Sequence, residues 1–180
     1  MGILANVLII IMELIAFRIS FKAIRWEMFI YYTELSNLAT LISSIAYLLT
    51  GGNAPALRYL SASGLTMTFL ITLCVLVPMG GGFKKLMLAG NGLYHHSLVP
   101  VFSLFSYVFW ERHSSMFLFP VILTIIYGLT MMYLNVIGKI DGPYPFLRIR
   151  HQSRIASVLW FFGLIAIISV ISYGVILVAG

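Results

Sequence analysis

The chain has 180 residues, 61% of them hydrophobic and only 9% charged, with a mean hydropathy of +1.04. A soluble domain carries about a quarter charged residues, so this composition excludes a water-covered globular surface and predicts an all-α integral membrane protein. Eleven Lys and Arg against five Asp and Glu make it basic. Those charges lie between apolar runs rather than on one face, which argues for basic cytoplasmic loops and against a nucleic-acid partner.

Crossing the hydrocarbon takes about 20 apolar residues in helical form. Six stretches qualify, roughly 3–21, 28–49, 59–79, 92–110, 116–137 and 155–178. They predict one bundle of six transmembrane helices, with residues 1–180 as a single domain. No basic residue precedes the first run, unlike a secretory signal, so it is expected to be retained as a helix. It holds a buried acid, Glu13, with either a hydroxyl or an inward-reaching base as its partner.

The second stretch, "FIYYTELSNLATLISS", gathers Thr33, Glu34 and Asn37 near its start. Counted from Glu27 at 1.5 Å per residue, Thr33 is about 9 Å into the helix. Thr33, Asn37, Thr40 and Ser44 recur at i, i+4, i+7 and i+11, a stripe on one face. For Thr40 and Ser44 the expected role is a helix–helix seam. Glu34, an ionisable group within the bilayer, is a functional candidate. The third stretch holds the lone Cys74, which rules out an intrachain disulfide and a cysteine-rich metal site.

The fourth, "NGLYHHSLVP", sets His95 and His96 at the same depth as Thr33. Three readings stand side by side. One is a bundle histidine bonded to a hydroxyl. Another is a metal site of His95, His96 and Glu34, with His151 as an optional further ligand, which adjacent histidines without an H-E-x-x-H motif support poorly. The third is a general base for a hydroxyl nucleophile. Pro100 removes the backbone bond to the His96 carbonyl, and a kink there would open the bundle beside the histidines.

The last long loop, "DGPYPFLRIRHQSR", is either an interfacial basic segment or a lid, with Arg148, Arg150 and Arg154 facing an anionic group. Nine basic residues (Arg18, Lys22, Arg25, Lys84, Lys85, Lys139, Arg148, Arg150 and Arg154) fall in loops on one side. Only Arg58 and Arg112 fall on the other. The positive-inside rule then places both termini outside the cytoplasm. Trp26 and Trp110 read as interfacial anchors, and Trp160 as packing.

"YYTELSNL", "NGLYHHSLVP" and "GPYPFLRI" together resemble the androgen-induced protein family, whose members include intramembrane threonine hydrolases of fatty acid esters of hydroxy fatty acids. The resemblance covers most of the chain in consistent order and suggests a compact prokaryotic member in a cytoplasmic membrane. It implies Thr33 as nucleophile and His95 as base, aligned by Asn91 and Pro100, with His96 taking that place after a one-residue slip. Where the family has a histidine beside its asparagine, this chain has Gly92. The Tyr-Pro-Phe-Leu element falls on Tyr144, Pro145, Phe146 and Leu147, and makes Tyr144, Arg148 and Arg150 expected headgroup contacts. The implied activity is lipid ester hydrolysis through an acyl-threonine, needing no cofactor. Asn37 would donate to the oxyanion, and Glu34 and Asn91 would orient the imidazole. The competing class is a non-enzymatic scaffold or a small transporter working as a homodimer, and a metal-dependent hydrolase is a third.

Overall fold

The computed structural model describes residues 1–180, and every regular element is helical. Helix α1 runs Gly2–Ile24 and is followed by a 3-10 turn, Arg25–Ile30. Then come α2 (Tyr32–Leu49) and α3 (Pro55–Ile71), the latter continuing as a π-helical stretch, Thr72–Gly81. The short α4 (Phe83–Met87) leads to α5 (Gly90–Gly92), π-helical Leu93–Leu98 and α6 (Val99–Trp110). Helix α7 spans Leu118–Val136, two 3-10 turns cover Pro145–Leu147 and Ile149–His151, and α8 spans Arg154–Ala179.

Four stretches are long and apolar enough to cross a membrane: Gly2–Ile30, Pro55–Gly81, Leu118–Val136 and Arg154–Ala179. The other two expected spans are helical too. However, α2 is richer in Thr, Ser, Asn and Glu, and 92–110 is divided into α5, a π-helical segment and α6.

Both π-helical stretches lie beside a proline. Pro78 is inside Thr72–Gly81, and Pro100 follows Leu93–Leu98. Proline lacks the N–H that an upstream carbonyl needs, and a wider turn redistributes the freed groups.

The molecule is polar within and apolar without. Exposed Leu14, Ile122, Ile126, Leu159, Phe162 and Val170 line the outer faces, while Glu13, Glu34, Asn37, Arg58 and His95 are buried. With no water in hydrocarbon, polar groups turn inward to find partners. One apolar core joins Tyr59, Met67, Tyr107, Phe146, Ile168 and Ile171; a smaller one joins Ile9, Leu65 and Val99.

Two sequence expectations change here. Arg58, expected in a loop, is fully buried on the first turn of α3 and bound to Glu111. Tyr144, expected at a headgroup, is buried with Phe146 and Leu147. The loop folds inward because Phe146 stacks on Tyr144 and packs on Trp160, with both centroid separations 5.2 Å. Gly142 makes the turn possible: its φ is +83°, and a Cβ there would lie 2.7 Å from the Leu147 carbonyl oxygen.

Candidate functional site

The chain leaves the 3-10 turn at Ile30, extends through Tyr31 and starts α2 at Tyr32. Thr33 therefore sits on the first turn of α2, not 9 Å into a continuous helix. First-turn amides have no helical acceptor. The Thr33 N–H instead donates to Tyr144 Oη at 3.2 Å. The same phenol oxygen is 3.3 Å from Thr33 Oγ1, which leaves the phenol proton free to face that hydroxyl. Burial pushes the Tyr144 phenol up to about 12, partly offset by its hydrogen bonds to Thr33, so it stays a neutral donor at neutral pH.

His95 is fully buried. Its Nε2 is 3.1 Å from Glu13 Oε2 and its Nδ1 is 3.2 Å from Glu34 Oε2. These are ion-pair distances approached off the N–H axis, so neither is a well-aligned hydrogen bond. Phe17 covers the ring edge-on at 5.0 Å. Glu34 Oε1 accepts from Ser20 Oγ at 2.8 Å and from Asn91 Nδ2 at 3.1 Å, and Asn91 also donates to Ser20 at 2.7 Å. With carboxylates at both nitrogens, His95 presents no free lone pair to the Thr33 hydroxyl.

His96 is set differently. Its Nδ1 is 2.7 Å from the Leu86 carbonyl oxygen. A carbonyl only accepts, so Nδ1 carries the proton and a neutral ring holds its lone pair on Nε2. Asn37 is fully buried and donates its amide to the carbonyls of Thr33 at 2.8 Å and His95 at 3.3 Å. In the wider π-helical spacing the His95 carbonyl faces position 100, and Pro100 has no N–H to offer it.

Two cavities meet at Thr33 and Tyr144. A narrow apolar one of ≈ 50 Å³ runs among α2, α3, α7 and α8, lined by Met67, Ile71, Gly128, Phe161 and Leu164. A more open cup of ≈ 450 Å³ is lined by Glu34, Asn91 and His96, with Gly80 and Pro143. Thr33 and Tyr144 line both. His95 lines neither cavity. Arg148 and Arg150 are exposed and lie 3.9 and 3.5 Å from Asp141, outside the cup lining. His151 is 2.9 Å from Asp141 as well, and no three His, Cys, Asp or Glu residues are arranged to hold a metal ion.

A second polar network lies between α1, α2, α3 and α6. Arg58 Nε and Nη2 donate to Glu111 at 2.7 and 3.0 Å, and Nη1 reaches Ser43 and Ser44. Ser106 Oγ and Asn6 Nδ2 both donate to Glu111 Oε1, at 2.6 and 3.0 Å. Thus Ser44 of the α2 stripe serves an ion pair, while Thr40 bonds its own helix at the Ser36 carbonyl.

Sequence reasoning missed the pairing of Glu13 with His95 and the contributions of Ser20 and Tyr144. One signal was present: Asn6, Glu13 and Ser20 repeat every seven residues, a stripe that puts three polar groups on one face of α1.

No family model, curated protein or solved structure matches the chain.

Proposed function

We propose that the protein is an intramembrane lipid ester hydrolase with Thr33 as nucleophile, built as a bundle of six transmembrane helices with both termini outside the cytoplasm. The carrying observation is that Thr33 and Tyr144 line both an apolar cavity and a polar cup. The apolar lining of the first suits an acyl chain once the cavity widens to take it, and the polar lining of the second suits water and a leaving group.

In this reading His96 Nε2 takes the proton of Thr33 Oγ1, directly or through a water in the cup, as Oγ1 attacks the ester carbonyl carbon. The oxygen gains negative charge beside the Tyr144 phenol and the amides of the α2 N-terminus. Collapse breaks the ester C–O bond, and the imidazolium returns its proton to the leaving alkoxide. Water then attacks the acyl-threonine and gives its proton to the same base; the bond from carbon to Thr33 Oγ1 breaks, the imidazolium returns the proton to Oγ1, and the carboxylic acid leaves. His95, the base implied by the family resemblance, acts instead as a positioning residue: held by Glu13 and Glu34, it ties α1 and α2 to the segment that carries His96.

A fluorophosphonate probe on purified protein tests the assignment. Thr33→Ala and His96→Ala should abolish labelling. His95→Ala should weaken it and lower thermal stability. Full labelling of the Thr33→Ala variant would remove the threonine from the mechanism.

A further inference from the structure

A third cavity of ≈ 340 Å³ lies between α2, α3 and α7, lined by Leu35, Ala39, Leu60, Gly64, Leu123 and Ile126. Leu123 and Ile126 are 40% and 53% exposed on the outer face, so this groove opens on the lipid. Tyr32 and Tyr127 line both the groove and the inner apolar cavity that ends at Thr33. The wall between them is an aromatic pair with centroids 5.2 Å apart at 68°. Tyr32 Oη is 2.9 Å from Thr124 Oγ1, and Tyr127 Oη donates to the Ile30 carbonyl at 2.9 Å. Two hydroxyl hydrogen bonds hold that wall in place, and opening it requires the two side chains to change rotamer.

We infer that this groove is a lateral portal. Through it, one acyl chain of a bilayer lipid passes between Tyr32 and Tyr127 into the cavity beside Thr33. Continuity argues for this occupant: an apolar groove facing lipid shares its inner wall with an apolar cavity ending at a hydroxyl. The polar cup is a separate route, open to water-soluble compounds. The substrate class in this inference rests on the hydrolase reading; the passage of an acyl chain does not.

Gly64 is the place to obstruct the groove. A Cβ there meets Ser36 Cβ at 3.5 Å and Tyr32 Oη at 3.7 Å, ordinary contact distances, and the rest of a larger side chain would crowd the groove beside Tyr32. Gly64→Leu, with Ala39→Leu as a second variant on the α2 wall, is compared with the parent in proteoliposomes. The readouts are crosslinking by a long-chain fatty ester bearing a terminal diazirine, turnover of a long-chain ester, and turnover of a short water-soluble aryl ester. Both variants should lose crosslinking within α2, α3 and α7. Their kcat/KM for the long ester should fall about tenfold, as expected for a pocket overfilled by a few carbons, with the short ester unaffected. Unchanged crosslinking and unchanged long-chain turnover would overturn the portal, as would equal losses for both esters with normal folding. If the parent cleaves neither ester, the hydrolase reading fails, and the crosslinking result still decides the portal.

Discussion

Thr33 has the setting of an addressed hydroxyl because its own backbone is unfinished. Its amide has no helical acceptor, and the Tyr144 phenol takes the donation. If that phenol also stabilises the oxyanion, Tyr144→Phe should lower kcat by about 10²–10³, the usual cost of one such donor, with little change in KM. The same substitution has a signature in alkali. The folded-state pKa, about 12, lies above the unfolded value near 10. The stability this phenol contributes is therefore complete below pH 10 and lost as pH rises toward 12, a fall of about 3 kcal/mol. Thermal unfolding in detergent between pH 9 and 12 should show a steeper decline for the parent than for Tyr144→Phe. A neutral His96 is the other requirement: turnover should fall in acid with the uptake of one proton, and a profile with no acid limb would exclude an imidazole base.

At the scale of the element, proline 100 governs the site. Its missing N–H and the π-helical segment before it leave the His95 carbonyl to Asn37, so α2 is bonded to the histidine segment through a backbone group. Pro100→Ala restores a helical donor and should raise the unfolding temperature while reducing turnover, because a regular helix rotates His95 and His96 out of register. At the other end of these helices, Arg58→Met should destabilise by about 3–5 kcal/mol, since it leaves Glu111 buried and unpaired. The double substitution Arg58→Met and Glu111→Leu should recover most of that loss in the same unfolding assay.

For the whole molecule, the proposed orientation has a direct readout. Cys74 is exposed, so it is first replaced by Ser. A cysteine placed at Lys84 should then resist a membrane-impermeant thiol reagent applied to intact cells, while one at Gly52 should react. Reversal of the two would invert the topology and put the cup on the outer side.

The amino-acid sequence alone determined the class of molecule and the position of its helices, because runs of apolar residues between charges and turn-formers are a local signal. It also put Thr33 and the histidines toward the same end of the bundle, although the break at Tyr31 upset the count of depth in residues. It could not tell which histidine meets which group. His95 and His96 differ by about 100° of rotation, and that angle depends on a π-helical segment whose extra residue per turn no periodicity announces. Nor could it reveal that Arg58 is buried rather than in a loop, because its partner Glu111 is 53 residues away. The inward fold of Tyr144 was equally hidden. A polar tyrosine in a basic loop belongs at a headgroup by composition, and only stacking on Phe146, with Thr33 waiting 111 residues upstream, carries it into the bundle. Such long-range pairings decide the chemistry here, and they exist only once the helices have packed.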